Sequence, residues 1–207
     1  MRHFIVALLI VTAFSAHVNA DGFKVVKRTK DGITVSRCPG QTAGFLVSRY
    51  DVHVAADVKL VSDGLWKVFD NAYPPVVKRT FIERSQNALL FNDRVRTPVV
   101  SDREYTLRVS RVIDAEVVRI SFFSDPDAGP PPEKGYVRMA MVRGGWEIRP
   151  AEGGGTSVRY EIYTEPGGLV PALLVKEPLT EDALNYVRRC LKDAVPGKAV
   201  PEKAGSN

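Results

Sequence analysis

Apolar and polar side chains alternate with period two along most of residues 23–164, the mark of strands with one buried face, and the spacing turns helical in two places. Residues 23–37 read as strand, turn, strand about Asp31-Gly32, and Pro39-Gly40 makes a further turn before a β-rich run over 45–55. Between Asp57 and Asp70 the period changes. Val58, Val61, Leu65, Val68 and Phe69 recur at spacings of three and four, predicting an amphipathic helix that Gly64 weakens a little. Pro74-Pro75 stops whatever follows.

The chain is then almost entirely β for roughly 90 residues. Residues 77–84 and 89–96 flank Ser85-Gln86-Asn87 as a hairpin, and 105–112 and 116–123 flank Ile113-Asp114-Ala115 as another. Residues 136–142 and 146–150 surround Gly144-Gly145, expected to be a turn, and Gly153-Gly154-Gly155 is expected to turn into a last strand over 157–164. The proline-rich stretch 125–135 reads as a surface loop, because the strands on both sides need partners. A terminal helix is expected from an N-cap at Thr180, with Glu181 and Asp182 in its first turn. Ala183, Leu184, Val187, Cys190, Leu191 and Ala194 share its apolar face, and residues 196–207 have the composition of a disordered tail.

A long antiparallel sheet with helices on one face is an α+β layer solution. One helix of about 15 residues, near 22 Å long, cannot cover such a sheet flat. The sheet must curl round the helix, and a curled sheet gripping a helix readily encloses a cavity. The inward set expected from parity is apolar: Tyr105, Leu107 and Val109; Phe123; Val137, Met139 and Met141; Val158, Tyr160 and Ile162. Leu184 and Val187 would face it from the helix. Such a wall favours an apolar ligand.

The N-terminus adds a compartment. Met1, Arg2 and His3 form a short basic start, residues 4–14 are apolar but for Thr12, and Val18-Asn19-Ala20 places compact residues where a signal peptidase reads them. Residues 1–20 are therefore expected to be a cleaved signal peptide, with the mature protein starting at Asp21 and residues 21–195 forming one domain, periplasmic or secreted. The apolar run is too short to span a bilayer. The formal net charge is +5, spread along the chain with no Lys/Arg block, which argues against a nucleic-acid partner and leaves weak attraction to an anionic membrane surface open. Cys38 and Cys190 could form a disulfide or stand as two thiols, and both readings remain open. After cleavage His53 is the one histidine left, and the sequence has no nucleophile elbow, phosphate loop or metal-ligand spacing. No cofactor, metal site or catalytic residue is expected.

Several motifs, in order, resemble steroidogenic acute regulatory protein-related lipid-transfer (START) domains. Pro98-Val99-Val100-Ser101-Asp102-Arg103-Glu104-Tyr105 is similar to the family's P-x-x-S-x-R-D-Y/F, with Glu104 in place of Asp. Gly135-Tyr136-Val137-Arg138 resembles G-x-x-R, Trp146-Glu147-Ile148-Arg149-Pro150 resembles W-x-I-x-P, and Thr156-Ser157-Val158-Arg159-Tyr160 resembles T-x-V-x-Y. Pro166-Gly167-Gly168-Leu169-Val170-Pro171 resembles the D-x-G-x-L-P before the last helix, its Asp replaced around Thr164-Glu165. The resemblance covers roughly residues 25–194. It implies a helix-grip fold: a curved antiparallel sheet wrapped around a long C-terminal helix, with an internal cavity. It also implies non-catalytic binding or transfer of one lipid such as a sterol, hopanoid or acyl lipid, by a chain expected to be a monomer.

Arg103 shares parity with Tyr105 and Leu107, so it should point inward. It either meets a ligand head group or ties down the Ser101-Asp102 turn. Arg138 has the opposite parity from Val137 and Met139, which points to a structural role. Leu169 and Val170 either plug the core or gate the cavity. The competing function on the same scaffold is an enzyme, a cyclase or hydrolase of aromatic polyketides, which would need several convergent ionisable groups in the cavity rather than one or two.

Overall fold

The computed structural model describes residues 22–42, 44–73, 75–97, 101–139, 141–165, 167–168 and 172–197, with backbone alone for 172–178. The signal-peptide residues 1–20, the expected start at Asp21, the motif residues Pro98, Val99 and Val100, the gate residues Leu169 and Val170, and tail residues 198–207 lie outside the described residues.

Ten strands make one sheet. In chain order they are β1 (Lys24–Arg28), β2 (Thr34–Pro39), β3 (Leu46–Val54), β4 (Val76–Arg84), β5 (Ala88–Val95), β6 (Asp102–Asp114), β7 (Val117–Ser124), β8 (Tyr136–Arg138), β9 (Met141–Pro150) and β10 (Thr156–Glu165). Helix α1 (Val58–Val68) lies between β3 and β4, and α2 (Ala172–Ala194) follows β10. The sheet order is β1-β2-β3-β10-β9-β7-β6-β5-β4, antiparallel throughout, with β8 added in parallel beside β6. Most pairs join strands next to each other in sequence; β7 reaches past β8 to β9, and the join of β3 to β10 links the first third of the chain to the last. The result is the α+β helix-grip arrangement expected.

Period-two burial fixes which face meets the helices. Ile33, Val35, Tyr50, Val52, Val54, Val109, Ile120, Trp146, Ile148 and Val158 are buried on one face and pack with Val61, Leu65 and Val68 of α1 and Leu184, Val187 and Leu191 of α2. Asp57 caps α1, its Oδ1 accepting the N–H of Leu60 at 2.8 Å. Gly64, which the sequence offers as a weak point, has a packing reason: a Cβ there would stand 2.3 Å from the carbonyl oxygen of Ala194. The end of α2 crosses α1 with backbone against backbone at this position, and any side chain would push the helices apart.

Three expectations are corrected. Gly144-Gly145 is not a turn but the middle of β9, paired on both sides. A Cβ on Gly144 would meet the Glu161 carbonyl oxygen at 2.1 Å, and one on Gly145 the Ile120 carbonyl oxygen at 2.4 Å, so these glycines serve close approach of neighbouring strands rather than chain reversal. Consequently residues 136–142 do not form one strand: β8 ends at Arg138 and pairs with β6, and β9 begins afresh at Met141. Thr180, read as an N-cap, lies inside α2, which starts at Ala172 and runs through Pro178, where proline forgoes a backbone N–H. No disulfide joins Cys38 to Cys190. By alternation from the buried Val35, Cys38 points to the face of the sheet away from the helices, whereas Cys190 is on the buried side of α2 itself.

Candidate functional site

Between α2 and the helix-side face of the sheet lies a cavity of about 260 Å³. Its floor is the inward set of β5, β6, β7, β9 and β10: Phe91 and Val95, Arg103, Tyr105 and Leu107, Phe122, Val142, and Tyr160, Ile162 and Thr164. Leu179, Thr180, Asp182, Ala183 and Tyr186 of α2 roof it, and Phe69, Tyr73, Pro75 and Val76 close one end. Gly44, Phe45, Leu46 and Ser48 stand at the other side.

Of the residues the sequence singled out, Arg103, Tyr105, Leu107, Met139, Tyr160 and Ile162 line this space. Four do not. Phe123 is 49% exposed on the opposite face, and Phe122 takes the inward place: β7 pairs Phe122 with Gly144 and Val109, one residue out of the expected register. Met141 cedes its place to Val142, because the break between β8 and β9 resets parity after Met139. Leu184 and Val187 are fully buried in the core beside the cavity, where the same helix turns Ala183 and Tyr186 toward it instead.

The polar centre of the site is a pair the sequence reading missed. The carboxylate of Asp93 is wholly buried and receives two N–H bonds from Arg79, from Nε to Oδ1 at 2.7 Å and from Nη2 to Oδ2 at 2.6 Å. Nη1 of Arg79 donates to the carbonyls of Phe69 at 2.7 Å and Asn71 at 2.9 Å, and the guanidinium lies 3.9 Å over the Phe91 ring. The Tyr105 hydroxyl donates to Asp93 Oδ2 at 3.2 Å. Burial pushes the Asp93 carboxyl upward and Arg79 acts against it, while the two-pronged bond holds the pair ionised. A signal for this pair was available: a hairpin folded about Gln86 sets Arg79 opposite Asp93.

Arg103 is 3% exposed on the inward face, opposite Val95, and its Nη1 donates to the carbonyl of Ser101. Its bond to Ser101 ties down the turn, and its place on the wall leaves a contact with a ligand open to test. Arg138 is on the other face, where Nη2 donates to the buried Glu104 Oε1 at 2.8 Å and to the Pro130 carbonyl at 2.6 Å. It pins the proline-rich loop across β6, a structural role. At the closed end, the Tyr73 hydroxyl donates to Asp193 Oδ2 at 2.5 Å and meets the Tyr186 ring edge-on at 6.1 Å. Burial and Asp193 push the Tyr73 phenol up to about 12. Burial also lifts the phenols of Tyr105, Tyr160 and Tyr186 well above their ordinary range and raises the Asp182 carboxyl. The walls are therefore aromatic and uncharged apart from a few placed groups. Among the described residues no cluster of three or more metal-ligating side chains occurs.

A STAR-related lipid transfer protein from Xanthomonas axonopodis superposes with a TM-score of 0.72 at 20% identity, over 84% of this chain and 99% of that one. Human StAR-related lipid transfer protein 5 superposes with a TM-score of 0.65 at 16% identity, over 86% of this chain and 88% of that one. The chain has the START fold. An aromatase/cyclase from Streptomyces sp. R1128 shares its outline less closely, with a TM-score of 0.51 at 18% identity over 72% of this chain and 92% of that one. By sequence, an uncharacterized protein of Pseudomonas aeruginosa is 32% identical over 91 residues, 43% of this chain and 44% of that protein. The match thus spans less than half of that relative. No protein-family model matches. The START fold explains why the cavity lies where it does: α2 closes the concave side of the sheet, and the β5-β6 pair carries the buried polar groups to its floor.

Proposed function

We propose that this protein is an exported carrier that holds one hydrophobic ligand in the cavity beneath α2 and performs no chemistry on it. The observation that carries this reading is the cavity itself, walled largely by rings and aliphatic side chains, with the charge of one lining residue, Arg79, already satisfied by the buried Asp93. Burying an apolar ligand there is worth roughly 25 cal/mol per Å² removed from water, and the few polar groups set its orientation. The lipid-transfer names of the proteins that share the fold support the same reading. Export rests on the N-terminal pattern, from Arg2 to Val18-Asn19-Ala20. No helix among the described residues is long and apolar enough to cross a membrane. Loading requires transient contact with a membrane surface, by a monomer. The second reading, an aromatic-ring cyclase, is favoured by the phenols of Tyr105, Tyr160 and Tyr186 around the cavity and by the aromatase/cyclase likeness.

One experiment tests both parts. The full chain is expressed in a Gram-negative host, recovered from the periplasm, and analysed by N-terminal sequencing and by mass spectrometry of a solvent extract. A chain starting at Asp21 that releases one hydrophobic compound per protein is expected. Recovery solely as full-length cytoplasmic protein defeats the export reading. A ligand-free extract after incubation with host lipids defeats the carrier reading, and conversion of a cyclisable polyketide substrate favours the enzyme.

A further inference from the structure

We infer that the ligand is one compact planar ring system bearing a hydrogen-bonding oxygen that meets the hydroxyl of Tyr160, and that two-chain lipids are excluded. This rests on the carrier reading above and names the class of ligand.

Size is the first ground. A cavity of roughly 150 Å³ takes a benzene ring, and drug-sized ligands use about 300 to 1,000 Å³. At about 260 Å³ this one suits two or three fused rings. An acyl chain of membrane length reaches across half of a ~30 Å hydrocarbon core, so two chains abreast need several times this space.

The walls are the second ground. They are braced by one another and cannot easily widen. The Tyr160 ring lies 4.4 Å from that of Trp146, 5.7 Å from Tyr186 and 6.2 Å from Phe122, centre to centre. Tyr186 in turn holds Tyr73 at 6.1 Å, and Phe69 holds Phe91 at 6.4 Å. Enlarging the space for chains breaks these contacts, whereas a flat ring adds another offset or edge-on partner to them.

The third ground is a hydroxyl without a partner. Hydrogen bonds engage other tyrosines around the site: Tyr73 with Asp193, Tyr105 with Asp93, and Tyr50 behind them with the Thr180 carbonyl. Tyr160 lines the cavity at 2% exposure, and among the described residues its hydroxyl has no hydrogen-bond partner. The hydroxyl opens onto the cavity, where the apolar walls offer it no partner. A ligand oxygen supplies one here. Because a phenol both donates and accepts, either a hydroxyl or a carbonyl on the ring satisfies it.

The test compares phenanthrene with hydroxyphenanthrene by calorimetric titration of the mature protein, alongside extraction of dipalmitoyl phosphatidylcholine from vesicles. Both ring probes should bind one per chain, the hydroxylated one up to about tenfold more tightly, with no phospholipid extracted. Tyr160→Phe keeps the ring and should abolish the preference while leaving phenanthrene affinity and melting temperature unchanged. Tyr186→Phe, the control, should keep the preference. A preference that survives Tyr160→Phe overturns the anchor. One-to-one extraction of phosphatidylcholine with no ring binding overturns the ligand class but leaves the carrier reading standing. Binding of neither class removes the carrier reading and this inference with it.

Discussion

On β7, Val118, Ile120 and Phe122 are buried against the helices, while Arg119, Ser121 and Phe123, each one residue away, look outward. The same contrast runs across the whole sheet. The outward face carries ion pairs across strands, Arg159 with Asp51 at 2.7 Å and Arg119 with Glu147 at 3.3 Å. The cavity face carries Arg79 with Asp93 at 2.6 Å, in the same chemistry but out of reach of solvent. Geometry alone does not distinguish these contacts. Their surroundings do: in water a lone partner is resolvated, and inside the grip it is stranded.

The largest test of that contrast removes one carboxylate from each face. Asp93→Ala leaves a buried guanidinium unpaired and should cost about 3 to 5 kcal/mol in urea unfolding, whereas Asp51→Ala should cost less than about 1 kcal/mol. Equal losses would show that the two faces do not differ in the way described. The next test uses adjacent phenylalanines. Phe122→Ala should destabilise by about 3 kcal/mol through the cavity it opens, and Phe123→Ala should change stability by no more than about 0.5 kcal/mol. A reversed order would mean that β7 is misregistered. The smallest effect belongs to the periphery, where Arg188 holds the Asp31 carboxyl at about 2, below its usual 3.8. A lowered carboxylate contributes stability above its unfolded value and loses it as the pH falls through its folded one. Asp31→Asn should therefore lower the melting temperature at about pH 6 and progressively less as the pH falls toward and below 2, and because the pair is a third exposed the effect stays below about 1 kcal/mol. A deficit that persists at the acid end would assign Asp31 a role other than this ion pair.

Local spacing made much of the fold readable. The helical recurrence from Val58 to Phe69 marks α1, and the alternation from Arg103 to Val109 gives the correct inward face of β6. Parity fails where the chain does something period two does not encode. Between Met139 and Met141 the strand breaks and the count restarts, so Val142 and not Met141 faces the cavity. At Gly144-Gly145 the residue type that signals a turn instead permits close strands, and only the neighbours' backbones reveal it. Phe122 and Phe123 are equally apolar, so composition could not rank them, and pairing with Gly144 decides. Arg79 and Asp93 were legible in principle from the hairpin about Gln86, but a charge within a strand reads as an outward residue until its partner is known.

The join of β3 to β10 has a consequence for the order of events during folding. Until residues 156–165 are available, β3 and β9 each lack a neighbour on the edge that β10 will fill, and the first hairpin lacks the helix that Asp31 and Lys27 grip from 157 and 154 positions away. Closing loops of that length must precede the contacts that repay them, which places this chain among slow-folding topologies with high contact order. The sheet is thus a structure that its last strand completes, and a polypeptide that stops short of Thr156 keeps two open edges ready to pair with whatever strand arrives first.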